Sequence, residues 1–159
     1  MEKEIVSNTS SIIFICKLNI LDLAKNIFHR ILIPKEVIEE LFNKNLPENR
    51  IIKEELGKFI IKTETKKIVN FPLGSGEKAA LSLCLEKNIR IFLSDDKKAR
   101  SYARSLNIKT IGVIGIILYN LQQKKINKKY ARDLVDELIQ KDYYMSSELY
   151  SKIIRLIDD

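Results

Sequence analysis

At 159 residues the chain is long enough to bury one complete hydrophobic core and too short for two ordinary domains. Its 45% hydrophobic and 31% charged residues exclude a disordered, collagen-like or disulfide-built chain. The formal charge of +7, from 28 basic against 21 acidic residues, favours a polyanionic partner such as RNA, DNA or an acidic membrane surface without choosing among them.

The first predicted element is a strand, Glu4-Ile5-Val6-Ser7, ending at the polar cluster Asn8-Thr9-Ser10-Ser11, which has the composition of a helix cap. A helix is then expected to run toward Phe28. Ile31-Leu32-Ile33 is a second short apolar run, stopped by Pro34, which is suited to the first residue of a helix through Leu41 and Phe42. Pro47 opens a further helical stretch to about Leu56, Phe59-Ile60-Ile61 reads as a third strand, and polar Lys62 to Asn70 as a loop. Gly74-Ser75-Gly76 introduces a helix through Glu86, Ile89 to Leu93 forms a strand of the buried type, and Ser94-Asp95-Asp96 starts a helix ending near Asn107. Lys109 to Ile111 makes a last short strand. Helices follow over about Val113–Lys124, Lys128–Ile139 and Ser147–Ile157.

Strands alternating with helices predict a parallel sheet covered on both faces, with the ligand site outside the carboxyl ends of the strands. The opening Met1 to Glu4 is charged and Lys17 interrupts the apolar stretch Ile12 to Cys16, so neither a signal peptide nor a membrane span is expected. Cys16 and Cys84 are far apart in apolar runs, which suits a reducing cytoplasm. His29 is the sole histidine, which argues against a Ser-His-Asp triad or a multi-histidine metal centre and leaves carboxylates to carry any chemistry.

Asn8, Asp95 and Asp96 each follow a strand and should project from one sheet edge. Asp95 and Asp96 read equally as caps that complement a helix dipole. Glu77 stands three, four and seven positions before Ala80, Leu81 and Cys84, on the inward stripe of its helix, where it is either a dipole partner or a site residue. Glu39 and Glu40 flank the apolar face formed by Val37, Ile38, Leu41 and Phe42, and the pattern does not choose between them. Converging carboxylates repel one another unless a divalent cation neutralises them, and oxygen ligands suit Mg²⁺ or Mn²⁺. Lys97, Arg100 and Arg104 recur at helical spacing after Asp96, as a phosphate track or as an ordinary solvated face.

The segments Ile5-Val6-Ser7-Asn8-Thr9-Ser10, Ile33-Pro34 through Glu39-Glu40-Leu41, Gly74 through Glu77-Lys78-Ala79-Ala80, and Leu93 through Asp95-Asp96 to Arg100 together resemble the PIN-domain family. They are most similar to its short prokaryotic members and, through them, to VapC ribonuclease toxins. The resemblance implies a single domain over residues 1–159 with a three-layer α/β/α fold and a central parallel sheet, the helices from about residue 113 packing on it. It implies a Mg²⁺- or Mn²⁺-dependent endoribonuclease, with RNA, an antitoxin protein and a second copy of the chain as partners. Metal ligands would be Asn8, Glu40, Glu77 and Asp96. Catalytic carboxylates would be Glu40, Glu77 and Asp96 with Asp95 as an alternative, and Thr9 and Ser10 would support them. The family usually has aspartate where this chain has Asn8, a neutral amide that should weaken metal binding unless Asp95 restores the charge.

Two rival readings remain. Gly74-Ser75-Gly76-Glu77-Lys78-Ala79 spells a glycine fingerprint for a nucleotide, with Asp95 about twenty residues later, although polar residues and Pro72 separate it from the preceding strand. A PIN-like domain with a decayed metal site would bind RNA or protein without cutting. The stripe Val113, Ile116, Ile117 and Leu121 is either core or a surface for a second copy or an antitoxin helix.

Overall fold

The computed structural model describes residues 4–159; the charged opening Met1-Glu2-Lys3 lies outside them. Strand β1 (Glu4–Ser7) is apolar and β-branched at Ile5 and Val6 and sits in the middle of a five-stranded sheet. Its neighbours are β2 (Arg30–Ile33) on one side and β4 (Ile91–Leu93) on the other. Strands β3 (Ile60–Lys62) and β5 (Lys109–Ile111) form the edges, giving the order β3-β2-β1-β4-β5 with every pairing parallel.

Between the strands run α1 (Thr9–Lys17), α2 (Leu21–Lys25), α3 (Lys35–Asn43), α4 (Asn49–Glu55), α5 (Ser75–Lys87) and α6 (Lys97–Ser105). Right-handed crossovers place helices on both faces of such a sheet, so its central strands are buried on both sides. Val6, Leu32 and Phe92 pack with Ala80, Leu81 and Cys84 of α5 and with Ala99 and Ala103 of α6. The alternate residues Ile5 and Ile31 are fully buried as well. This is the three-layer α/β/α arrangement that the alternation of strand and helix predicts.

Most element boundaries shift by one to three residues from the sequence expectation, and three of the differences have a visible cause. The single helix toward Phe28 is broken into α1 and α2 because Asn19 adopts a left-handed conformation (φ 54°), and the N–H of Ile20 closes on the Ile15 carbonyl at 3.1 Å. Strand β4 starts at Ile91 rather than Ile89, since left-handed Asn88 ends α5 and the Ile89 N–H still satisfies the Cys84 carbonyl. Pro34 caps α3 from outside instead of serving as its first residue.

The described residues form two compact units that meet in the chain at Val113 and Ile114. The first holds the sheet and α1 to α6. The second holds most of α7 (Val113–Gln122), with α8 (Lys128–Gln140) and α9 (Ser147–Asp158). In the second unit α8 buries Ala131, Leu134, Val135 and Leu138, α9 buries Ile153 and Ile157, and Arg132 pairs with Asp158 at 2.6 Å. Of the α7 stripe, Val113, Ile116 and Ile117 are buried and Leu121 is half-buried. No helix among the described residues is long and apolar enough to cross a membrane.

Leu41 is fully buried on α3 while Glu39, two positions earlier, is exposed. Leu41→Ala is expected to cost about 2–5 kcal/mol of stability, and Glu39→Ala to stay within about 0.5 kcal/mol. Urea unfolding midpoints of the two variants against the parent chain check both values.

Candidate active site

Strands β1 and β4 are neighbours where the strand order reverses, and the crevice beyond their carboxyl ends is where such a sheet offers a site. Asn8 closes that crevice. It is 1% exposed, its N–H donates to the Leu93 carbonyl at 3.1 Å, and its side-chain amide donates to the Ser94 hydroxyl at 3.0 Å. Its Oδ1 accepts the Ser11 N–H at 3.2 Å and so caps α1. Both ends of this amide, expected to face a metal, are held inside the protein. An aspartate here would offer Ser94 no donor.

Glu40 projects from α3 toward the same edge. Its Oε2 accepts the Thr9 hydroxyl at 2.5 Å and its Oε1 accepts the Gly76 N–H at 2.8 Å. Glu39 points away, 3.7 Å from the ammonium of Lys35. Of the two glutamates, Glu40 is the one that reaches Thr9 and Gly76. Ser10 is half-buried and makes no side-chain hydrogen bond among the described residues.

Glu77 lies in the first turn of α5, half-buried. A Cβ built on Gly74 would come within 2.6 Å of Glu77 Oε2, and one on Gly76 within 2.7 Å of Glu40 Oε2. The glycines of Gly74-Ser75-Gly76 thus make room for two of the protein's own carboxylates at a helix N-terminus, where they complement the dipole. A pyrophosphate at that terminus would meet both negative charges, so the nucleotide-fingerprint reading fails on electrostatic grounds. Burial raises the Glu77 pKa above its ordinary 4.5. The carboxylates of Asp96 and Glu40 raise it further, against the lowering effects of its own backbone N–H and of Lys44.

Asp96 caps α6, its Oδ2 accepting the Ala99 N–H at 2.7 Å. Asp95 is engaged elsewhere. Its carboxylate accepts the Ser11 hydroxyl at 2.7 Å and the Val113 N–H at 3.1 and 3.3 Å. Lys97 and Arg104 are exposed on α6, but Arg100 turns inward and donates to the Ser94 carbonyl at 3.0 Å. Of the three bases, the outer two face solvent and Arg100 is half-buried with its guanidinium on the loop that follows β4.

Sequence pattern passed over Ser11 and Ser94, which link Asn8, Asp95 and Asp96, and Lys44, the base that acts on Glu77. Ser11 lies within the recognised cap cluster and Ser94 beside the aspartates, but neither carries a charge to single it out. Cys16 and Cys84 are free and buried, and burial first of all pushes each thiol up to about 12, which makes them poor nucleophiles and poor metal ligands.

Among the described residues no three His, Cys, Asp or Glu side chains stand close enough to form a ready-built metal cage. The donor chemistry nevertheless fits a hard divalent cation. Asp96 and Glu40 both act electrostatically on Glu77, whose pKa burial raises first and their charges raise further, and all three offer oxygen donors of the kind a divalent cation takes.

Residues 4–159 match the family DUF3368, a PIN domain. The chain therefore belongs to the PIN-domain family, whose members are generally nucleases. Among solved structures, a PilT N-terminus domain protein, SSO1118 from Sulfolobus solfataricus P2, is 17% identical over 76% of this chain and 94% of that one, with a TM-score of 0.57. The PIN domain endonuclease Utp24 is 10% identical over 69% of this chain and 84% of that one, with a TM-score of 0.55. At these identities the likeness shows the shared fold. No curated protein sequence matches the chain.

Because its pKa is raised in the folded state, Glu77 retains a proton that the unfolded chain has already released above pH 4.5. The metal-free fold therefore loses stability as pH rises from 4.5 through the raised value, and none below it. Glu77→Gln is expected to be more stable than the parent chain at pH 7 in chelator, with the difference vanishing near pH 4. Denaturant titrations at the two pH values test this; a less stable variant at pH 7 contradicts it.

Proposed function

We propose that this PIN domain is a metal-dependent endoribonuclease acting at Glu40, Glu77 and Asp96, with Mg²⁺ or Mn²⁺ as its cofactor. The observation that carries the reading is the electrostatic convergence of three carboxylates from α3, α5 and the start of α6 on one sheet edge, where Glu77 is driven toward its protonated form. These three residues would hold the cation. A bound divalent ion of this kind activates water and stabilises charge on a phosphodiester.

The chain's own residues set up the rest. Thr9 and Gly76 fix both oxygens of Glu40, so that carboxylate needs no reordering on binding. Asn8 and Ser94 hold the start of α1 against the turn that presents Asp96. Protonated at low pH, Glu77 is a poor ligand, and metal affinity should fall as pH drops through its raised pKa. Exposed Lys97 and Arg104, with the +7 balance, suit an RNA substrate.

Purified protein is expected to cut single-stranded RNA with Mn²⁺ or Mg²⁺ and not in chelator. Glu77→Gln and Asp96→Asn should each lower the rate about a hundred-fold or more. Activity equal in parent and variants would place the cutting elsewhere. If the nuclease is the toxin of a toxin–antitoxin pair, inducing it in a host arrests growth and Glu77→Gln relieves the arrest.

The buried, fully engaged amide of Asn8 favours a second reading, a domain with weakened catalysis that binds RNA or a protein partner. RNA binding without metal-dependent cleavage in folded protein is the outcome that selects it.

A further inference from the structure

Residues 66–73 form a strap whose hydrogen bonds track along α5 toward its N-terminus. The Lys66 N–H donates to Glu86 at 2.9 Å, the Val69 N–H to the Ser82 hydroxyl at 2.9 Å, and Lys78 to Asn70 at 3.4 Å. The strap then delivers Phe71 onto Tyr102 of α6, ring centroids 6.1 Å apart and planes at 58°. Both rings pack against the core on one side and remain partly exposed on the other. Ile68 and Val69 of the strap are each 40% exposed, and Lys67 and Lys98 are exposed around them. Tyr102 is six residues along α6 from Asp96, about 9 Å at the helical rise. The strap itself runs into Gly74 and the first turn of α5, which carries Glu77.

Apolar and aromatic faces interleaved with lysines fit one class of partner, a single-stranded nucleic acid whose bases stack while its phosphates meet the ammonium groups. A duplex keeps its base faces covered and has nothing to offer the rings. We infer that the Phe71–Tyr102 pair, where the strap meets α6, is the stacking platform for an unpaired base of the RNA next to the reacting phosphate. The assignment rests on the nuclease reading above. It gives that reading a reason to prefer single strands and loops.

The test is binding of the full chain, in chelator so that the strand stays intact, to a short fluorescent oligoribonucleotide and to a sugar–phosphate strand of the same length without bases. The parent chain should bind the base-containing strand about 10- to 100-fold more tightly, the range of one stacked base. Tyr102→Leu and Phe71→Leu should lose that preference while binding the base-free strand unchanged, and Tyr102→Phe should keep it. Equal affinity of the parent chain for the two strands overturns the platform even if neither leucine variant folds, and so does a folded Tyr102→Leu that keeps the preference. Metal-dependent cleavage together with equal affinities leaves the nuclease reading standing and removes only the platform. Absence of both cleavage and binding removes the nuclease reading and this assignment with it.

Discussion

Everything at the candidate site depends on how one buried amide closes the sheet. Asn8 is both the last turn out of β1 and the cap of α1, and it also donates through its side chain to Ser94 and through its backbone to Leu93. Here the residue accepts from Ser11 and donates to Ser94, and an amide does both where a carboxylate only accepts. The position serves the junction of β1 with β4, and the charge at the mouth comes from other elements.

Those other charges are held in place by small, specific constraints. Glu40 is pinned between a threonine hydroxyl and a helix N-terminal amide, and Glu77 folds back over Gly74. A Cβ at either glycine would meet a carboxylate oxygen, and the glutamate side chain would have to turn aside to admit it. Asp95 works one layer beneath. By accepting from Ser11 and Val113 it ties α1 to the chain leaving β5, and Gly112 is small because Asp95 and Arg100 occupy the space its side chain would need.

Burial first, and then the neighbouring carboxylates of Asp96 and Glu40, disfavour the charged form of Glu77, and the base that acts on it, Lys44, is exposed and therefore screened. A bound cation would offset that repulsion, which is how the electrostatics bear on the proposed nuclease reading. The surrounding surface is consistent with the same function, since α6 begins at one of the acids and carries exposed bases outward from it.

The sequence by itself determined the element order, the parallel α/β/α class and the set of acids at strand ends, because hydrophobic periodicity and cap residues are local and leave a direct trace. Four ordered motifs also carried the family resemblance. Periodicity could not choose between Glu39 and Glu40, could not see that Asn19 splits a helix, and treated Arg100 like its exposed neighbours. Each of those depends on what a side chain meets across the fold: Thr9 and Gly76 for Glu40, the Ile15 carbonyl for the break, the Ser94 carbonyl for Arg100. Sequence spacing fixes which face of an element a residue occupies, but only tertiary structure brings that face to a partner, and hydrogen bonding and repulsion are decided over the few ångströms between them.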